Sequence, residues 1–166
     1  EACIESGIHY IDLADDRPFV AGIDALNSRA EEKGLLVVSG ASSVPGLSSA
    51  VINHLLPRFS ELESIRFGIS PGNKTARGEA TVHSILSYTG RPFRNWINGR
   101  WQNVYGWQDT HKHHFPAPIG SRWVSNCDVP DLELFPEYYP SVKRVSFYAG
   151  LELSIMHLGM WAMSWL

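Results

Sequence analysis

Apolar positions recur along this chain with a rhythm that changes partway. Residues 1–6 read as the last turn of a helix stopped by Gly7. Residues 8–14, IHYIDLA, are a β-branched and aromatic run that predicts a strand. Phe19, Ile23, Leu26 and Ala30 then repeat at helical spacing. Asp15 or Asp16 can cap that helix, Pro18 suits its first turn, and Lys33 with Gly34 supplies the stop. Residues 35–39 predict a short strand, continuously apolar through Val38, as expected of a strand covered on both faces. Strand, helix and strand in such a short stretch make a βαβ unit, so the two strands should run parallel. A small-residue turn, GASSVPG at 40–46, leads into a helix with Leu47, Val51 and Leu55 on one face, which Pro57 ends.

The second half follows another pattern. Residues 64–70 predict a strand closed by Pro71, Gly72 and Asn73, and 79–88 a helix stopped by Gly90. Residues 93–97 and 101–105 flank Asn98 and Gly99, a strong hairpin signal because Asn-Gly tolerates positive φ at both turn positions. Residues 106–118 are polar and His-rich, 121–127 fit a strand, and 130–140 read as an irregular acidic and aromatic loop. Residues 142–151 are a convincing strand, and 152–166 a helix apolar nearly all round. The chain therefore opens as α/β and becomes α+β with mostly antiparallel strands. The change falls near Leu62, giving regions 1–61 and 62–166.

Composition narrows the classes. Of 166 residues, 44% are apolar and 19% charged, the profile of a soluble globular protein. A net charge of −3 with scattered Lys and Arg speaks against nucleic acid or an anionic membrane as partner. The apolar C-terminal run is too short to span a bilayer, so it reads as a core or subunit-interface helix. Most of the aromatic residues follow Phe93, which points to an aromatic interior or interface there. Cys3 and Cys127 are too few for a disulfide scaffold and fit reduced thiols in a cytoplasmic protein. The sequence starts within a helix end and stops within an apolar run, which reads as a fragment of a longer protein.

Candidate chemistry gathers at the strand ends. Open parallel sheets bind ligands beyond the carboxyl ends of their strands, where Asp12, Asp15 and Asp16 end the first strand and 39–46 ends the second. Gly40, Ser42, Ser43, Pro45 and Gly46 combine close backbone access with hydroxyls, and a helix start offers free N–H groups to an anion. An ordinary β–α loop is the plainer alternative. A nucleophile elbow, G-x-S-x-G, fails at Val44. His111 and His113 have the i, i+2 spacing that puts two imidazoles on one strand face, but no metal-binding motif accompanies them, and no metal is expected. Among the arginines, Arg77 and Arg122 neighbour glycines in loops and suit bidentate grip of a carboxylate or phosphate.

HYIDLADD at 9–16, SGASSVPGLSSAV at 39–51, GEATVHSIL at 78–86 and FYAGLE at 147–152 together resemble the saccharopine dehydrogenase-like oxidoreductases. The resemblance implies that residues 1–61 are the tail end of a Rossmann-like parallel sheet. Residues 62–166 would then be an α+β substrate-binding and dimerisation domain, truncated at its end. It implies NAD or NADP as cofactor, a small-molecule substrate and a homodimer. Asp12, Ser42, Ser43, Pro45 and Gly46 would face the cofactor, while Arg77, His83, His114 and Arg122 are candidates for the substrate. The dinucleotide fingerprint G-x-G-x-x-G occurs nowhere in the sequence, so this chain by itself is expected to hold no cofactor and to be inactive. The alternative is a non-catalytic small-ligand or dimerisation module.

Overall fold

The computed structural model describes residues 1–75 and 78–166, with backbone alone at Glu79, Ala80, Thr81 and Ser84. The chain forms two compact units. The first comprises Glu1–Leu62 and Val129–Ser141, the second Glu63–Asp128 and Val142–Leu166.

In the first unit, helix α1 (Ala2–Glu5) ends at Gly7 with φ +69°. Strand β1 (Tyr10–Ile11) pairs in parallel with β2 (Val37–Val38), matching Tyr10 to Val37 and Ile11 to Val38. Both strands are shorter than the apolar runs that predict them. Between them lie α2 (Arg17–Ala21), a 3-10 segment (Gly22–Leu26) and α3 (Asn27–Glu32). Asp16 caps α2, its carboxylate accepting the Phe19 amide at 2.9 Å, with Pro18 in the first turn. The 3-10 segment rotates the helical face. Ala30 stays buried, but Arg17 and Val20 turn inward while Phe19 is half exposed.

Helix α4 (Leu47–Leu55) also differs from expectation. Leu47 and Val51 are exposed, while Ser48 and Ile52 turn partly inward. The reason lies in α6 (Asp131–Tyr138), a helix where the prolines suggest a loop. It meets α4 through polar groups: Ser48 Oγ donates to Asp131 Oδ1, and Tyr139 Oη donates to Asn53 Oδ1 at 2.9 Å. It meets α2 through the pair of Arg17 with Glu133, at 3.0 Å from Nε and 2.5 Å from Nη2. Pro130 precedes α6, Asp131 and Glu133 favour its positive end, Leu132 and Phe135 are buried, and Pro136 falls in the last turn.

The second unit is built on six strands with helices. Strand β8 (Arg144–Ala149) lies at its centre. One edge of β8 pairs in parallel with β3 (Ser64–Ile69) over all six residues. The other edge is divided between β4 (Pro92–Ile97), at Arg144 and Val145, and β7 (Gly120–Asn126), at Tyr148 and Ala149. β5 (Arg100–Tyr105) extends β4 and β6 (His111–Phe115) extends β7, all antiparallel. Asn98 and Gly99 turn the β4–β5 hairpin with φ of 55° and 71°. Helix α5 (Glu79–Ser87) lies between β3 and β4, and α7 (Ser154–Met163) follows β8.

The core of this unit holds Ile65, Trp107, Val145 and Phe147, with Val124 buried on the other sheet face. His157 of α7 is fully buried among them, its ring centroid 5.4 Å from that of Trp107. The Leu151 amide donates to His157 Nδ1 at 3.4 Å, so the ring proton sits on Nε2 and donates to Ser125 Oγ at 2.8 Å. Ser125 then donates to Thr110 Oγ1 at 2.6 Å, and Thr110 to the Trp107 carbonyl at 3.4 Å. This one-way relay keeps a buried imidazole satisfied and neutral. The rest of α7 is largely exposed, including Ile155, Met156, Trp161 and Met163. Among the described residues no helix is long and apolar enough to cross a membrane.

Burial lowers the His157 pKa to about 4 from the ordinary 6.5. Below pH 6.5 the unfolded chain takes up a proton at this residue that the folded chain refuses. Stability should therefore fall from pH 6.5 to about 4 and level off below, by about 3 kcal/mol from this group. Urea unfolding at pH 7 and pH 5 checks this: a His157→Gln variant should be less stable at pH 7 but lose less on acidification.

Candidate functional site

Two places carry chemistry, one in each unit. In the first, Asp12 follows β1 and closes the strand ends together. Its Oδ1 accepts the amides of Ala14 and Gly40, both at 2.8 Å, and Ser39 Oγ lies 3.0 and 2.9 Å from its two oxygens. The Ala41 amide donates to the Asp12 carbonyl at 2.8 Å. Desolvation acts to raise the Asp12 pKa, but the Gly40 and Ala14 amides, with the Tyr10 and Ser39 hydroxyls, outweigh it and bring the value to about 2. The same carboxylate raises the Tyr10 phenol, chiefly through their hydrogen bond.

The turn beyond is a closed knot. The Ser42 amide donates to the carbonyls of Gly40 (2.8 Å) and Pro45 (3.0 Å). Pro45 is buried after a cis peptide bond and packs on Gly40, where a Cβ would come within 2.6 Å of Pro45 Cγ. Gly46 has φ +111°, and a Cβ there would meet the Ser42 carbonyl at 2.7 Å. The amides of Leu47 and Ser48 donate to the Ser42 and Ser43 carbonyls at 2.9 and 3.1 Å. Two of the N–H groups expected to be free at the start of α4 are thus taken by the turn itself, which lowers its capacity for an anion. Asp12, Ser42, Pro45 and Gly46 are brought together, with Ser43 the exposed member.

Asp131 is a residue that the sequence pattern hides. It is fully buried, burial raises its pKa against the opposing Ser48 hydrogen bond, and its Oδ2 has no partner among the described residues. Only its pairing with Ser48, 83 positions earlier, reveals it, and no local signal announces such a contact.

The second place is a cleft on one face of the six-stranded sheet, with a volume of about 430 Å³. Register explains its lining. Gly68 pairs with Tyr148, Tyr148 with Asn126, Val124 with His111, Arg122 with His113 and Gly120 with Phe115. Alternation along each strand then puts Arg66, Tyr148, Val124, His111 and His113 on the same face. His111 and His113 do share that face, as their spacing predicts. Arg66 stands over the Tyr148 ring at 5.6 Å, His111 meets the same ring edge-on at 4.7 Å, and His113 meets Phe115 at 4.7 Å. Among the described residues no group of three or more His, Cys, Asp or Glu is arranged to hold a metal ion.

Of the residues expected to bind substrate, the described ones are spread over β6, β7 and α5. Arg122 turns to its own chain: Nη1 donates to the Ser70 carbonyl (3.1 Å), Ser70 Oγ (3.3 Å) and the Pro71 carbonyl (3.3 Å), and Nη2 to Glu152 Oε1 (3.3 Å). Glu152 Oε2 in turn accepts the Asn73 amide. His114 is exposed, its Nδ1 3.1 Å from Ser121 Oγ, and alternation puts it on the sheet face opposite His113. His83 is exposed on α5. Arg77 lies outside the described residues.

No known family model matches the chain, and no curated protein matches it by sequence. Structure does find a likeness. The chain is similar in fold to a saccharopine dehydrogenase. The solved structure is the apo, histidine-tagged, L-Glu-forming enzyme from Saccharomyces cerevisiae, with a TM-score of 0.60 and 14% identity. The match covers 90% of this chain and 36% of the yeast chain, so the likeness concerns about a third of that enzyme. At this identity the likeness is one of fold.

Replacing Asp12 tests its role as a tie. Asp12→Ala removes an acceptor for two amides and a hydroxyl and should destabilise the first unit by roughly 2–4 kcal/mol, read by denaturant unfolding. Asp12→Asn keeps one acceptor oxygen and should cost less. Because the native pKa is lowered to about 2, the contribution of Asp12 should persist to about pH 4 and be lost as pH falls through 2.

Proposed function

We propose that this chain is part of a saccharopine dehydrogenase-like oxidoreductase, in which NAD or NADP exchanges a hydride with a small amino-acid-like or carbonyl substrate. The observation that carries the reading is the fold similarity over 90% of the chain. Supporting it, Asp12 and the turn with Ser42, Ser43, Pro45 and Gly46 stand at the carboxyl ends of two parallel strands, the edge where open parallel sheets take ligands. The nicotinamide would supply the redox chemistry, and the protein would bind and orient the two reactants. Because the chain spans about a third of the yeast enzyme, this activity is proposed for the whole protein that carries it.

Thermal shift with NADH and NADPH tests the reading. The whole protein should be stabilised by one of the two and should oxidise it with an oxo acid as acceptor. This chain alone, without a G-x-G-x-x-G stretch, should show no shift. Failure of both dinucleotides to stabilise the whole protein would sink the proposal.

The reading extends to a cytoplasmic homodimer. The exposed apolar side chains of Ile155, Met156, Trp161 and Met163 on α7 support an interface between copies. Light scattering on a sizing column should give twice the 18.6 kDa mass of one chain, and a monomer at high concentration would remove this part.

A further inference from the structure

The cleft on the six-stranded sheet asks for a ligand of a particular kind. Its basic groups are Arg66, His111 and His113, while Lys112 alternates to the other face with its ammonium over the Trp123 ring, and among the described residues none that lines the cleft is acidic. Its apolar surface comes from Phe115, Val124 and the ring of Tyr148, whereas the Phe67 ring turns to the other face, against Phe147. Four strands run across it in the order β3, β8, β7, β6, so Arg66 and the two histidines stand on strands about 14 Å apart, three strand spacings. Between them Tyr148 and Val124 form the floor.

Gly68 helps to open this space. It is the neighbour of Tyr148 across the β3–β8 pair, and a Cβ there would come within 2.5 Å of the Tyr148 carbonyl. Asp109 sits at the margin, where its carboxylate accepts the Tyr148 hydroxyl at 3.4 Å and its carbonyl accepts His111 Nδ1–H at 2.9 Å. Those contacts orient the tyrosine and the imidazole. Arg66, by contrast, forms no ion pair or hydrogen bond with any described residue, and its guanidinium is held only by the face of Tyr148. A planar guanidinium stacked on an aromatic ring keeps its outer N–H fork free for a carboxylate.

We propose that this cleft binds a small organic acid, with its carboxylate on Arg66 and its aromatic or branched apolar body over Tyr148, Val124 and Phe115. The volume, about 430 Å³, lies in the lower part of the range for small-molecule sites and suits a body of amino-acid size. The binding rests on the second unit alone and needs no dinucleotide. It stands or falls independently of the redox reading.

Titration of this chain with 3-phenylpropionate, followed by amide chemical shifts, tests the proposal. Saturable binding is expected, with the largest shifts at Gly68, His111 and Tyr148. 3-Phenylpropanol, which has the body without the charge, and acetate, which has the charge without the body, should each bind at least about tenfold more weakly. Arg66→Met should weaken the acid about tenfold or more and leave the alcohol unchanged, while Arg66→Lys should restore part of the loss. Arg66 is exposed, so both variants should unfold at the wild-type temperature. Shifts centred elsewhere, equal affinity for acid and alcohol, or no saturation below about 10 mM would overturn the proposal.

Discussion

Everything in the six-stranded unit hangs on the register of one strand. β8 has a parallel partner along its whole length on one side, while two antiparallel partners share the other. Between them the Cys127 amide reaches the Phe147 carbonyl at 3.3 Å, so the ladder carries on where one neighbour gives way to the next. Val145 and Phe147 point to one face and are completely covered, which fixes the phase of the strand. A slip by one residue would bring Arg144, Ser146 and Tyr148 into the core and turn Phe147 outward. The same phase aims Tyr148 at the cleft. Packing on one face and the chemistry of the other are thus set by a single choice of register.

The first unit is held together differently. Its apolar core is thin, with Ile4, Val20 and Ala30 buried in its first segment and Leu132 and Phe135 in α6. Charged and polar groups make the cross-links instead: Asp12 joins two strand ends, Arg17 grips Glu133, and Ser48 meets Asp131. Such contacts are directional, and breaking one leaves a buried partner unsatisfied, so each is costly to remove even where its net worth is small. Asp131 already stands partly in that condition, with one oxygen unpartnered among the described residues.

Much of this was legible in the sequence. The parallel pair, the Asp16 cap, the Asn-Gly hairpin and the strand at 142–151 all follow from local chemistry, and local chemistry is what periodicity and turn residues report. What stayed hidden depends on contacts far apart in the chain. Phe19 looks like a core residue by spacing, but a 3-10 segment resets the phase of its helix. α6 looks like a loop because Pro130, Pro136 and Pro140 mark it, yet two of these flank the helix and the third falls in its last turn. His111 and His113 were visible as a pair, whereas Arg66 became their companion only through the β3–β8 and β7–β8 pairings. Arg122, a promising anion grip by its neighbours, is occupied by carbonyls that no sequence window contains.

The return of residues 129–141 to the first unit carries a consequence for biosynthesis. A ribosome releases Glu1–Leu62 long before Val129–Ser141. Until α6 emerges, Arg17 has no Glu133 and Ser48 no Asp131, so the early segment must wait, incompletely folded, while more than half of the second unit is made. The stretch Val142–Leu166 brings the central strand of that unit, so it too completes only after β8 is made. Neither unit can mature during translation of its own opening segment. The nascent chain therefore carries two unfinished units until β8 emerges, a condition in which uncovered apolar surface invites misassembly.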